Sequence, residues 1–225
     1  QTEERDGVQI PAPDVAAHLP ACSLPVEQHP TWVAWRKVQA AWNSQSPENV
    51  PDVVLGADTE VVLDGTILGK PRDPAHATTM LTHLAGRTHT VYTGLCVCSR
   101  LPIPADAPVP PSYTWSAPTP TLPVWFDLVA SEVTLTPLSS AEIAAYVATG
   151  EPLDKAGGYG IQASGGRFVR QVVGSYTNVV GLPLEATWTL LTAAGVAGLC
   201  SPETASQTWR ESYRKEPFPW PTSQL

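Results

Sequence analysis

Asp64 and Gly65 sit between two apolar runs in LGADTEVVLDGTILGKP, residues 55–71. Asp-Gly tolerates positive φ at both positions of a two-residue turn, so the pair predicts a tight hairpin between strands at 60–63 and 66–68. A hairpin commits this part of the chain to a sheet. The run 52–57 before it is nearly all apolar, as expected of a strand covered on both faces. Asp58 follows that run, which predicts a carboxylate at a strand's end, where ligands of α/β sheets gather. A turn or capping role for Asp58 fits the spacing equally well.

The rest of the chain alternates helix and strand signals. Trp32, Trp35, Val38 and Trp42 recur at helical spacing over 31–42, a stripe that reads first as core. Before it, residues 8–13 suit a short strand in an otherwise irregular segment. Over 73–86, Asp73 can cap, Pro74 fits the first turn, Gly86 can stop the helix, and Ala77, Met80, Leu81 and Leu84 form the apolar face. Residues 88–98 alternate as a strand, with His89, Val91, Thr93, Leu95 and Val97 on one face. Many of the 24 prolines fall in 100–123, which predicts a surface loop inserted between strands. Strand returns at 125–136. Ser139 and Glu142 form a capping box for a helix that buries Ile143, Tyr146 and Val147. Residues 151–166 are glycine-rich and aperiodic. A strand is predicted at 168–174, then a helix at 184–194 facing inward through Leu184, Trp188 and Leu191. This order predicts an α/β fold in one domain over 1–200, with 201–225 as a polar surface tail.

Charge and cysteine content narrow the function. A net charge of −8 argues against a broad nucleic-acid footprint, which needs a basic surface. A polyanionic small molecule remains compatible if a few Lys and Arg converge or a divalent cation bridges. Cys96 and Cys98 share one strand face, too far apart to bond comfortably. With Cys22 and Cys200 they form no paired C-x-x-C zinc pattern and read as reduced thiols of a cytoplasmic protein. No run is long enough for a transmembrane helix, so no membrane partner is expected. The first residue is Gln, as for a chain that begins partway through a longer product.

Chemistry has two further candidate locations. Lys70 follows Gly69, whose missing side chain lets a ligand approach closely; alone, Lys70 reads as a solvated loop lysine. The stretch 154–162, DKAGGYGIQ, joins small residues to a charge pair and an amide, a composition that can present backbone N–H groups to a ligand. It has neither P-loop nor dinucleotide-fingerprint order, and no Ser/His/Asp or H-E-x-x-H arrangement occurs. From the residues alone, the chain offers an acid, two or more lysines and a glycine-rich loop, suited to a phosphate ligand with a metal.

Three segments make the chain resemble the Maf family of nucleoside triphosphate pyrophosphatases, also described as septum-formation inhibitors. They are GADTEVVLDGTILGKPRD running on to LAGRTHTVYTG, then 146–162 with TGEPLDKAGGYGIQ, then GSYTNVVGLPL over 174–184. The resemblance implies a mixed, twisted sheet flanked by helices around a central cleft, as in inosine triphosphatase-like folds. The second and third segments resemble the branch acting on dTTP and UTP. By the same resemblance, Asp58 is general base or metal-bound acid, with Lys70 and Lys37 offsetting phosphate charge. Thr59 and Gln162 lie where the base is selected, and Asp154 and Lys155 match the family's DKAG. The resemblance also implies a divalent cation, Mg²⁺ or Mn²⁺, and a homodimer. The chain departs from the family in lacking S-x-S-P-R-R and the strand that carries it. The nearest match to a D-V-D-E stretch, Asp14-Val15-Ala16-Ala17, has alanine where the acid belongs. Loss of those arginines is the ground for an alternative expectation, a non-catalytic nucleotide-binding or interaction domain.

Overall fold

Both turn residues of the Asp-Gly hairpin take positive φ, 50° at Asp64 and 74° at Gly65. The hairpin joins β3 (Val53–Leu63) to β4 (Thr66–Leu68). The structure, a computed structural model, describes residues 2–5, 8–11, 26–46, 48, 50–107, 112–116 and 121–213. The first difference from expectation falls in β3. The sequence predicts a strand ending before Asp58 and another after it; the structure has one strand of 11 residues. Its neighbour β5 (Thr88–Ser99) pairs with it continuously, Asp58 opposite Gly94 and Thr59 opposite Thr93. That pairing satisfies the backbone of the polar residues, so Asp58 lies in mid-strand.

The main sheet runs β4-β3-β5-β7-β6, where β6 is Ser112–Ser116 and β7 is Thr121–Leu135, and β8 (Val169–Val173) pairs with β7. A separate pair joins β1 (Thr2–Arg5) and β2 (Val8–Pro11). The α/β class holds. Every pairing among the described strands is antiparallel, so the parallel neighbours of a mixed sheet are not among them. The proline-rich run is also not all loop. Ser112–Ser116 pairs with the first residues of β7, Thr114 opposite Pro123. A sheet edge is the place where a proline-dense segment can still pair.

Helices cover both faces. On one lies α1 (His29–Asn43), which buries Trp35 and Val38 against Cys96, Cys98, Val124 and Phe126, with Trp32 and Trp42 partly buried beside them. The aromatic stripe is core-facing, as expected. Burial pushes the Cys98 thiol up to about 12 and the Cys96 thiol well above its usual range; Cys22 lies outside the described residues. Helix α1 approaches the sheet closely because two strand residues lack side chains. A Cβ on Gly94 would lie 2.2 Å from the Thr31 nitrogen, and one on Gly56 2.6 Å from the Ala34 oxygen. Gly94→Ala should therefore destabilise the fold by about 2 kcal/mol or more, since the obstacle is helix backbone that cannot swing aside. Urea unfolding measures this, and an unchanged midpoint would disprove the close packing.

The opposite face carries α2 (Pro74–Leu84), α3 (Ser140–Val147), α4 (Tyr176–Val180) and α5 (Leu184–Ala193). Asp73 caps α2, accepting from the His76 N–H at 2.7 Å, and the Ser139/Glu142 box caps α3. Both helices pack with Val61, Leu63, Val91 and Val133 of the sheet. Helix α5 is rotated from expectation. It buries Thr187, Leu190 and Ala193 while Trp188 is 36 % exposed. Small Ala193 and Ala194 let the helix lie down on Leu95, Val97 and Trp125, which the larger Trp188 would prevent. Residues 202–213 of the expected tail form α6 (Pro202–Tyr213); 214–225 lie outside the described residues. No described helix is long and apolar enough to cross a membrane.

Candidate active site

Alternate residues of β3 face opposite sides of the sheet. Thr59 and Val61 point toward α2 and α4, whereas Asp58 and Glu60 point toward α1. This alternation divides the sequence-predicted site residues into two groups.

The first group meets in a cleft of about 250 Å³. Thr59, Val61 and Val91 form its floor, and Val179 and Val180 of α4 form one side. Asp154, Lys155 and Gln162 come from the glycine-rich segment, and Lys70 from the end of the hairpin. Lys155 and Asp154 form an exposed ion pair at 2.7 Å. The Lys155 hydrogen bond holds the Asp154 carboxyl below its usual range, with a smaller contribution from nearby Lys70.

The glycine-rich segment folds as three short 3₁₀ turns, 151–154, 156–158 and 164–168. Glu151 gathers them. Its carboxylate accepts from the Tyr146 hydroxyl at 2.7 Å, the Ser164 N–H at 3.1 Å, the Gly165 N–H at 3.0 Å and the Ser164 hydroxyl. Burial alone would raise the Glu151 carboxyl; the Ser164 and Tyr146 hydrogen bonds outweigh it and hold the group below its usual range. Gly157 donates its N–H to the Gly69 carbonyl at 3.1 Å, which brings Lys70 beside the turns. Gly157 has φ 68°, and a Cβ there would press on Val61 at 3.1 Å. Behind the turns, Tyr159 meets buried His89, hydroxyl to Nε2, at 2.6 Å.

The second group stands apart. Lys37 of α1 donates to Asp58 Oδ1 at 2.7 Å and to the Ala57 carbonyl at 2.8 Å. This pair lies on the α1 face and is not among the residues that line the cleft. The faces are nonetheless adjacent. Strand β4 covers only 61–63 of β3, and among the described residues no strand flanks 53–60 on that side. Beside Asp58, Glu60 bonds His29 Nδ1. Burial raises the Glu60 carboxyl, against the opposing pull of His29.

Sequence reasoning did not single out Glu60, His29, Glu151 or Tyr159. For Glu60 a signal existed, since it shares a face with Asp58 two residues away. Glu151 gave none, because its partners lie from 5 residues before it to 14 residues after it.

Among the described residues, no three His, Cys, Asp or Glu converge as a metal cage. Mg²⁺ does not require one, since it commonly binds through one or two carboxylates, substrate phosphates and retained waters. Asp58, whose side chain is 20 % exposed, offers a carboxylate of that kind.

A cleft over β3 and β5 of an antiparallel sheet, rimmed by Lys70, Lys155 and Asp154 and closed by small-residue turns, is the site that the fold assembles. Residues 7–194 match the family described as Maf-like protein, and the chain belongs to that family. It is 50 % identical over 147 residues to a dTTP/UTP pyrophosphatase of Anaeromyxobacter dehalogenans (strain 2CP-C), covering 64 % of this chain and 66 % of the relative. A dTTP/UTP pyrophosphatase of Shewanella denitrificans is 47 % identical over 140 residues, 62 % of this chain and 60 % of the relative. One of Salmonella typhimurium is 46 % identical over 165 residues, 73 % of this chain and 72 % of the relative. The chain thus spans just under two thirds of the length of the first two relatives.

Proposed function

We propose that the chain hydrolyses dTTP and UTP at the α–β phosphoanhydride, releasing the nucleoside monophosphate and pyrophosphate. The observation that carries this reading is the convergence of Thr59, Lys70, Asp154, Lys155 and Gln162, from separate segments, on one cleft. Thr59 and Gln162 contact the pyrimidine; the Gln162 amide can both donate and accept at a base edge. Lys70 and Lys155 offset phosphate charge along the rim. The triphosphate extends from the cleft past β3 toward Asp58 and Lys37. There Asp58 takes a proton from a water aligned with the α-phosphorus, and Lys37 fixes the carboxylate and stabilises charge that builds up on the phosphate oxygens. A divalent cation, Mg²⁺ in this reading, would be held by Asp58 and the phosphates and would neutralise charge on the leaving group. The setting is cytoplasmic, with the nucleotide as partner and a homodimer as the assembly.

The test is pyrophosphate release from dTTP and UTP with Mg²⁺, beside CTP and ATP, with a chelator control. Release from dTTP and UTP above the others supports the proposal; no release from any nucleotide rejects it. In the same assay Gln162→Ala should narrow the preference among bases, and an unchanged preference removes Gln162 from base selection.

A further inference from the structure

The neighbours of Thr59 fix what its hydroxyl can do. Thr93, its partner on β5, is fully buried. Thr93 Oγ1 lies 3.0 Å from the Asn178 backbone carbonyl, which can only accept, so Thr93 donates its single proton there. Thr59 Oγ1 lies 2.8 Å from Thr93 Oγ1. With the Thr93 proton already committed, Thr59 must be the donor in that contact. A hydroxyl carries one proton and two acceptor lone pairs. Thr59 therefore presents only lone pairs to the cleft.

The acceptor at the far end of this chain is itself held firmly. The Asn178 side-chain amide donates to the Val91 carbonyl at 3.0 Å and to Ser131 Oγ at 2.9 Å. Its backbone carbonyl also accepts from the Gly181 N–H at 2.9 Å. Helix α4 is thereby fastened to β5 and β7, and the direction of the Thr59–Thr93–Asn178 chain cannot reverse, because a carbonyl has no proton to return.

We infer that Thr93 is a positioning residue that sets the hydrogen-bond polarity of the cleft floor, making Thr59 a fixed acceptor. This inference rests on the pyrimidine reading of the cleft. A fixed acceptor favours a ligand edge that donates to it, such as the imide N3–H of uracil or thymine. It disfavours one that presents a bare lone pair there, such as N3 of cytosine. Without Thr93 the Thr59 proton is released, the hydroxyl can rotate, and either polarity is met.

The experiment compares the wild type with Thr93→Val, which keeps the shape and removes the hydroxyl, and Thr93→Ser, which restores it. Two readouts are taken: the ratio of kcat/KM for UTP over CTP, and the ratio of Kd for their non-hydrolysable α,β-methylene analogues. Thr93→Val should lower the UTP preference roughly tenfold or more, the equivalent of relieving two acceptors left facing each other. Thr93→Ser should retain it within about twofold. Equal preference in wild type and Thr93→Val overturns the inference, as does an equal loss in Thr93→Ser, which would assign the effect to shape. Should the valine variant not fold, Thr93→Cys makes the same comparison with a much weaker donor. Failure of the wild type to bind either analogue sinks the pyrimidine reading and this inference with it; binding with unaltered preference sinks this inference alone.

Discussion

Asp58→Asn should reduce pyrophosphate release from dTTP and UTP by about 10³-fold, acting on kcat and leaving KM within a few-fold of wild type. The scale is that of a general base whose removal also forfeits an electrostatic contact in the transition state. The change removes a charge and leaves the shape. Its stability cost should stay under about 1 kcal/mol, because the Lys37 partner is 53 % exposed and solvent screens the pair. Lys37→Met should lose about 10²-fold. The double variant should lose little more than Asp58→Asn alone, because residues that act as a unit are not additive. Steady-state kinetics on the four proteins closes the cycle. Full additivity would mean that Lys37 and Asp58 act at separate points, and near-wild-type activity in Asp58→Asn would place the base elsewhere.

The second large effect is on stability as pH falls. His89 is 3 % exposed, and burial lowers its pKa to about 4. An unfolded histidine titrates near 6.5. Between these values the unfolded chain holds the proton and the folded chain does not, so the unfolded state gains as pH drops. The contribution of neutral His89 is complete above pH 6.5, declines as pH falls toward 4, and is gone below that. The loss across the window is about 3 kcal/mol, from a difference of roughly 2.5 pKa units. His89→Gln can still meet the Tyr159 hydroxyl and has nothing to titrate. Urea unfolding of both proteins from pH 7 to 4 should therefore show the wild type losing stability more steeply, by up to about 1.4 kcal/mol per pH unit. Parallel slopes would mean that His89 is solvated or already charged at neutral pH.

Local signals in the sequence were reliable where a few neighbouring residues decide the outcome. Asp64-Gly65, the Asp73 cap and the Ser139/Glu142 box each act over two to four positions, and each formed as read. The resemblance singled out Thr59, Lys70, Asp154, Lys155 and Gln162, which fall inside two of its three segments and line one cleft in the structure. What local reading missed was decided by partners distant in sequence. Asp58 looked like a strand end because it is polar, but the continuous ladder to β5 carries the strand through it. Trp188 looked inward because it is large, but the face of α5 that fits the sheet is the one with alanines at its end. The prolines near β6 suggested a loop, and only the first residues of β7 make that segment a strand. The polarity of Thr59 depends on a carbonyl 85 residues beyond Thr93, which no spacing rule reaches.

The alternation of β3 has a consequence for how this site tolerates change. Thr59 and Asp58 are adjacent in the chain yet serve opposite sides of the sheet, so their assignment depends on register alone. Sliding β3 by one residue against β5 would exchange them, putting the acid over the apolar floor and the hydroxyl under α1. Gly56 acts as a detent against that slip, since any other residue moved to its place would press a side chain on the Ala34 carbonyl of α1, where a Cβ would lie at 2.6 Å. A one-residue insertion or deletion within 53–63 should accordingly do more damage than any single replacement there, because it transposes two chemical environments at once.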